Sequence, residues 1–367
     1  MNILYLSNHL NVGGITSYIF SLAKGFKERG HNVYVASSSG DRLDRFIAEG
    51  INYIRIPIRT KSEVDPRILF SLFKLLGFIK EKNIQIIHAN TRVTQVLGCL
   101  IRKYSGLTFV STCHGFFKPK FSRSILPCWG ERVIAISQQV SQHLSEDFKV
   151  DKARIRVIHH GIDLNRFVPA DLRAKSRAKE KFGLQANRVI GMIARLSDVK
   201  GHSYLIGALP DILKKFPDAR LLIIGEGREE RKLKELTGSL SIANSVIFRE
   251  SVADTAQALS AMDVFAMPSL KEGLGLSLME AMACGLAVVA ADVGGIKTLI
   301  QDNQNGLLVA PQDSGALSRA ISGLLEDTAK AEALGERARI FIHENFSKDQ
   351  MLLETEEVYR ECLNAKD

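Results

Sequence analysis

Two cations stand five residues apart in Arg195-Leu-Ser-Asp-Val-Lys200-Gly201, directly after the apolar run RVIGMIA. The run reads as a strand, and the strand ends of open α/β sheets face the ligand crevice. An Arg fork and a Lys point charge there suit a diphosphate; the bland alternative is a solvated basic loop. Further on comes Pro268-Ser-Leu-Lys-Glu272-Gly273-Leu274-Gly275-Leu276-Ser-Leu-Met-Glu280-Ala-Met-Ala-Cys-Gly285. Glu280 follows Glu272 by slightly over two helical turns, so it can face the same crevice as the glycine-flanked loop. A carboxylate accepts from the vicinal hydroxyls of a ribose or hexose. The glycines free the loop amides to approach phosphate or sugar oxygens. Either acid alone reads as a surface charge, but the whole run does not.

Near the N-terminus the strand-like NILYLS runs into Gly13-Gly14 and then a helical pattern. Amides at such a turn can meet a phosphate or sugar, although tight turns from strand to helix need glycine anyway. No G-x-G-x-x-G is present, which counts against a dinucleotide-dependent dehydrogenase. His159-His160 has the look of a zinc pair, but adjacent strand residues point to opposite faces. His9 and His88 end strands and either line a crevice or cap a sheet.

These residues need a scaffold, and the chain supplies one in two halves. NILYLS, NVYVAS, YIRI, IQIIHA, TFVSTC, RVIAIS and RVIHH read as strands in the first, and RVIGMIA, ARLLIIG, SVIFR, DVFAM, LAVVAA and NGLLVA in the second. Their apolar runs are nearly continuous, as in parallel strands buried on both faces. Amphipathic helical stretches lie between them, so the fold class is α/β with parallel sheets. The charged, strandless stretch 163–187 marks the boundary. The organisation expected is a first domain over 1–165, a second over 166–348, and a C-terminal helix over 349–367 packed back on the first.

At 367 residues the chain suits two α/β domains, and 46% apolar with 24% charged residues is ordinary for a globular protein. The five cysteines show no metal-ligand spacing and suit a reducing compartment. The N-terminus reads as a first strand rather than a signal peptide, and no apolar run reaches a membrane span, so a cytoplasmic location is expected. Residues 1–168 carry 24 Lys and Arg against 12 Asp and Glu, whereas 169–367 carry 25 against 28. Such a first half suits anionic lipid or a phosphorylated acceptor. Without zinc-finger spacing or regularly interleaved aromatics, nucleic acid is not expected as a partner.

Taken together, these landmarks resemble the retaining family-4 glycosyltransferases of the GT-B fold, in which two Rossmann-like domains face each other across a cleft. Gly13-Gly14, His114-Gly115, His160-Gly161-Ile162-Asp163, Arg195 with Lys200-Gly201, Gly225-Glu226-Gly227, the Glu272/Glu280 pair, Gly294-Gly295 and Asn305-Gly306-Leu307-Leu308-Val309 keep the family's order over nearly the whole chain. The resemblance implies that Arg195 and Lys200 hold the donor diphosphate. It implies that Glu280 binds the donor ribose, and that Glu272 with the amides around Gly273, Leu274, Gly275 and Leu276 holds the transferred sugar. His114 would meet the donor hexose near the anomeric centre, Gly14 would approach the donor phosphate from the first domain, and Gly225 would join the donor site. On the acceptor side stand Gly13, His9 and Arg92. No metal and no cofactor is expected beyond a nucleotide-diphosphate sugar as donor substrate.

Two departures stand out: Ala287 replaces a frequent proline, and Phe248-Arg249-Glu250-Ser251 puts charges near the expected nucleobase pocket. The activity implied is transfer of a hexose or related sugar, with retention, to a glycolipid or polysaccharide acceptor of the cell envelope. The competing readings are a non-catalytic sugar-binding or scaffold homologue and a nucleotide-sugar epimerase. Peripheral contact with an anionic membrane is expected of the first domain. The helix pattern Arg67–Lys80 is apolar mainly to pack on the sheet. The expectation therefore rests on residues 116–132, where Phe116, Phe117, Lys118, Lys120, Phe121, Arg123, Trp129 and Arg132 mix aromatics with cations.

Overall fold

The computed structural model describes residues 1–117, 123, 126–184, 188–252 and 254–365. The chain divides into two compact units, Met1–Gly161 joined by the C-terminal segment from Lys348, and Ile162–Ser347. Each is a parallel sheet with helices on its faces.

In the first unit the strands are β1 (Asn2–Leu6), β2 (Asn32–Ser37), β3 (Asn52–Arg55), β4 (Ile86–Ala89), β5 (Thr108–Cys113), β6 (Arg132–Ala135) and β7 (Ile155–Val157). They lie side by side in the order β3-β2-β1-β4-β5-β6-β7. β1 takes β2 on one edge with Asn2 opposite Asn32, and β4 on the other with Ile3 opposite Ile86. The central strands are buried on both faces, which explains their unbroken apolar sequence. Ile3, Tyr5, Tyr18, Phe26 and Ile86 belong to one core layer, and Leu4, Leu6, Ile68, Leu72 and Ile87 to the other.

The helix Lys348–Asn364 belongs to this unit although the chain has by then built the second one. Met351, Leu352, Val358 and Tyr359 enter the first core layer beside Phe26, and each apolar side chain so buried contributes about 1.5–3 kcal/mol. Its polar side is fixed too. Glu356 pairs with Arg29 at 3.5 Å, and Glu361 meets Arg132 at 3.3 Å and Arg156 at 2.9 Å.

The second unit holds β8 (Val189–Ile193), β9 (Arg220–Ile224), β10 (Val246–Arg249), β11 (Val264–Met267), β12 (Ala287–Ala291) and β13 (Leu307–Val309), in the order β10-β9-β8-β11-β12-β13. Both sheets therefore run outward in two directions from a central pair, β1/β4 in one and β8/β11 in the other. At such a pair the helices of successive crossovers leave toward opposite faces and open a crevice beyond the strands' C-terminal ends. Among the described residues no helix is long and apolar enough to cross a membrane.

Candidate functional site

In the second unit, loops leaving β8, β9, β11 and β12 meet at the central pair. The loop after β8 carries Arg195, which is exposed, and a short 3-10 turn Asp198–Lys200. Lys200 reaches Glu272 in the loop after β11, Nζ to Oε2 2.5 Å, and Ser269 Oγ stands 3.4 Å from the same oxygen. The two loops are locked by backbone as well, since Leu270 N donates to the Val199 carbonyl at 2.8 Å. Gly201 makes this approach possible. Its φ is +74°, and a Cβ there would lie 1.8 Å from the Pro268 carbonyl oxygen.

Glu272 in turn accepts at its carbonyl from Gly295 N at 2.9 Å, which brings the Gly294-Gly295 turn alongside. Gly273, Leu274 and Gly275 then lead into the helix Leu276–Ala283, capped by Gly275. Ser277 Oγ donates to the Ile193 carbonyl at 2.7 Å and seats that helix's first turn on the end of β8. Glu280 lies on its part-exposed side. The loop after β9 completes the ring of loops. Gly225 sits so close to the β8 loop that a Cβ would lie 2.0 Å from the Ala194 carbonyl oxygen, and Leu196 N donates to the Glu226 carbonyl at 2.9 Å. Thus Arg195, Lys200, Gly225, Glu272, the 273–276 amides and Glu280 are gathered at one end of one sheet. Two cations, backbone amides at a helix start and two carboxylates can there meet phosphates and vicinal hydroxyls.

Gly201→Ala is expected to destabilise the second unit by more than the about 1–2 kcal/mol of left-handed backbone alone, because the β8 and β11 loops must also part. A denaturant midpoint equal to that of the unaltered protein would remove this account of the loop junction.

Sequence reading missed three side chains here. Ser269 and Ser277 lie inside the motif run but carry no signal of their own. His202 is buried beside Lys200, and its pKa is pushed down to about 4 by burial first and the lysine's charge second. The charged segment after β10 turns out to be tied up structurally. Arg249 donates to the Phe182 carbonyl at 3.0 Å, and Ser251 N donates to the Glu226 carboxylate at 3.0 Å.

In the first unit the residues of interest follow β1, β4 and β5, again at the central pair. Gly13 caps the helix Gly14–Glu28, and a Cβ on either Gly13 or Gly14 would meet nothing within 4 Å. Packing therefore does not demand glycine at either position, but the backbone does at Gly13, whose φ is +155°; Gly14 leaves its backbone open to close approach. His9 is exposed, its pKa lowered by partial burial and then by the Arg59 charge.

His114 directly follows β5, with its ring edge-on to Tyr18 at 4.8 Å. Asn90, which follows β4, donates its amide to the His88 carbonyl at 3.2 Å and so turns its oxygen toward His114 Nε2, also at 3.2 Å. That arrangement puts the His114 proton on Nε2 and leaves Nδ1 as the acceptor. Desolvation, then the neighbouring His160 and His88, push its pKa down to about 3. The ring is neutral at physiological pH.

Arg92 is spent on structure. Its guanidinium holds Glu63 at 2.9 Å and the carbonyls of Leu126 and Pro127 at 2.5 and 3.2 Å. His88, the other strand-end histidine, proves to be a core residue. Its ring lies between the Tyr359 hydroxyl and the Thr112 hydroxyl, both at 2.6 Å. His159 and His160 lie beyond β7, not on a strand as their sequence suggested, and their rings still take separate partners, one the Ile136 carbonyl and one the Gly161 carbonyl. Among the described residues no group of three or more His, Cys, Asp or Glu side chains is placed to hold a metal ion.

The aromatic and basic stretch 116–132 is corrected by the structure. Trp129 is only 3% exposed, packed on Phe148 with ring centroids 5.4 Å apart. Arg123 faces Glu63 and Arg132 faces Glu361, so these two cations belong to different acids and form no common patch. Phe116 and Phe117 are half-buried, while Lys118, Lys120 and Phe121 lie outside the described residues.

Comparison with known proteins agrees with this fold. Residues 12–166 match the profile described as Glycosyltransferase Family 4, and residues 174–341 match that of Glycosyl transferases group 1. The chain is 30% identical over 357 residues to the GDP-mannose-dependent alpha-(1-6)-phosphatidylinositol monomannoside mannosyltransferase of Mycolicibacterium smegmatis, covering 91% of each chain. It is 26% identical to the D-inositol 3-phosphate glycosyltransferase of Corynebacterium jeikeium, over 89% of this chain and 87% of that one. Among solved structures, Anabaena HepE in complex with UDP-glucose superposes with a TM-score of 0.88 at 25% identity, over 98% of this chain and 100% of that one. A glycosyltransferase of Rickettsia africae gives 0.86 at 26% identity, over 99% and 98%.

Proposed function

Because the chain belongs to the family-4 glycosyltransferases of the GT-B fold, we propose that it moves a hexose or related sugar from a nucleotide-diphosphate donor, with retention and without a metal, to a glycolipid or polysaccharide acceptor of the cell envelope. The observation that carries the donor half is the junction of Lys200 and Glu272 beside a glycine loop and a helix start at the β8/β11 crevice. Breaking a bond between sugar and diphosphate leaves positive charge on the anomeric carbon and negative charge on the departing phosphate. Cations fixed in advance at the phosphate lower that barrier, and here Arg195 and Lys200 fill the part.

Glu280 is assigned to the donor ribose and Glu272, with the 273–276 amides, to the transferred sugar. In the first unit His114 is the group assigned to meet the sugar, as a neutral acceptor at Nδ1. A glycolipid acceptor is supported by the name of the mycobacterial relative, which acts on a phosphatidylinositol monomannoside. A nucleoside-diphosphate hexose donor is supported by that relative's dependence on GDP-mannose and by the UDP-glucose complex of the Anabaena protein.

The test is a thermal-shift panel of nucleotide sugars, including UDP-glucose and GDP-mannose, followed by assay of nucleoside diphosphate release without acceptor or added metal. A donor present at 100 times its Kd is expected to stabilise the protein by about 2.7 kcal/mol. Failure of every donor to raise the midpoint or be hydrolysed would overturn the donor reading. Release that strictly requires a divalent cation would overturn the metal-independent part.

A further inference from the structure

The helix Arg67–Glu81 has two unlike faces, both apolar. Ile68, Ser71, Leu72, Leu75 and Ile79 recur at helical spacing and are buried against the unit. Leu69, Phe70 and Phe73 fall on the opposite side and are exposed, Phe70 at 67% and Phe73 at 71%. Val64, three residues before the helix, is exposed as well. The inner stripe alone suffices to pack the helix, so fold stability does not explain two phenylalanine rings in water. Adjacent exposed apolar groups with a polar rim mark an interaction site.

The rim is basic. Lys74 follows Phe70 by four residues and Lys80 follows Phe73 by seven, so both share the outer face. At the other end Arg67 donates to the Arg59 carbonyl at 2.7 Å, which keeps exposed Arg59 and Lys61 beside the helix start. The nearby acids are engaged: Asp65 with Arg67 at 2.6 Å, Glu81 with Lys82 at 2.7 Å and Glu63 with Arg92 at 2.9 Å. A convex helix face with apolar rings at its centre, and around them cations that form no ion pair among the described residues, complements a surface that is soft, apolar within and anionic at its boundary.

We propose that the outer face of Arg67–Glu81 docks on an anionic lipid bilayer, with Phe70 and Phe73 entering the headgroup region and Arg59, Lys61, Lys74 and Lys80 meeting lipid phosphates. The +9 net charge of the chain, concentrated in its first half, points the same way. The proposal uses none of the donor-site residues and does not depend on the donor reading.

The experiment is co-sedimentation at low and high salt with vesicles of phosphatidylcholine alone and of phosphatidylcholine mixed with phosphatidylglycerol. The unaltered chain should bind the mixed vesicles at low salt, lose most of that binding at high salt, and ignore the neutral ones. Phe70→Ser/Phe73→Ser should weaken binding at least about tenfold, and Lys74→Gln about fivefold. Both variants should keep the unaltered midpoint and the same nucleoside diphosphate release, since neither changes the buried stripe or the donor site. In Phe73→Trp, emission should shift to the blue on adding mixed vesicles. No binding to either vesicle, equal binding to both, or binding undiminished in Phe70→Ser/Phe73→Ser would each overturn the proposal. So would self-association in solution that the same double substitution abolishes, which would make a second copy the occupant.

Discussion

Lys200→Ala is expected to cut nucleoside diphosphate release by about 10²–10³-fold, the loss that follows removal of one fixed charge-stabilising donor from a transition state. Arg195→Ala should lose activity on the same scale, yet the two variants should part company in stability. Arg195 is exposed, and its removal should change the unfolding free energy by less than about 0.5 kcal/mol. Lys200 is only partly exposed and holds Glu272 at 2.5 Å. Its loss leaves that carboxylate without its counter-charge, at a cost of about 1–3 kcal/mol, less than for a pair wholly cut off from water. Glu272→Gln keeps an acceptor beside Lys200 and should cost less stability than Lys200→Ala, while still slowing release through lost sugar contacts. Release kinetics and denaturant midpoints of the three variants are the measurements. Normal release from Lys200→Ala would end the diphosphate assignment. Equal midpoints for Lys200→Ala and Arg195→Ala would show that the ion pair contributes nothing to the loop junction.

That pairing illustrates where sequence reading stops. The strands were legible because parallel strands buried on both faces must be apolar throughout, and each such run became a strand of the two sheets. The end of one strand then located Arg195 and Lys200, the glycine-flanked loop located Glu272, and His114 came only with the family resemblance. The partner of Lys200 was not legible. It depends on Gly201 lying against the Pro268 carbonyl and on the backbone bond from Leu270 to Val199, contacts between loops that no local pattern encodes.

His88 was ambiguous for the same reason. Its role is set by Tyr359, 271 residues away on a helix that returns after the second unit is built. Trp129 looked like a loop aromatic free for a membrane, but its carbonyl accepts from Ser111 at 2.5 Å and its ring packs on Phe148, so the loop is a lid on the core. The helix Arg67–Glu81 erred in the opposite direction. Its sequence RILFSLFKLLGFIKE is apolar on nearly every side, and periodicity alone does not say which stripe faces the sheet.

Acidification should unfold the first unit well before the second, and the reason is its buried histidines. Burial pushes the pKa of His88 down to about 3 and that of His160 to about 4, far below the ordinary 6.5. Around His88 stand the rings of Tyr5, Tyr18 and Tyr359 and the Thr112 hydroxyl, and none of these is a carboxylate that would favour an imidazolium. As pH falls through 6.5 the unfolded chain takes up protons at these positions and the folded unit does not. The unfolded state then binds more protons, so stability falls with pH from about 6.5 down to the folded values. Each histidine removes about 1.4 kcal/mol per pH unit in that window, so His88 and His160 together remove about 4 kcal/mol by about pH 5. His114 adds a smaller amount in the same sense, being part-exposed. Against a domain stability of about 5–15 kcal/mol this is a large fraction. In the second unit only His202 carries a comparable shift among the described residues, so that unit should lose about half as much. Trp129, the single tryptophan of the chain, lies buried in the first unit and reports its unfolding alone. The denaturant midpoint followed by its emission should fall steeply between about pH 7 and pH 5. His88→Gln should be less stable at neutral pH but show a shallower fall, by about 1.4 kcal/mol per pH unit. A midpoint that stays level over that range, or an equally steep fall in His88→Gln, would mean that the buried rings are not the acid-sensitive element of the fold.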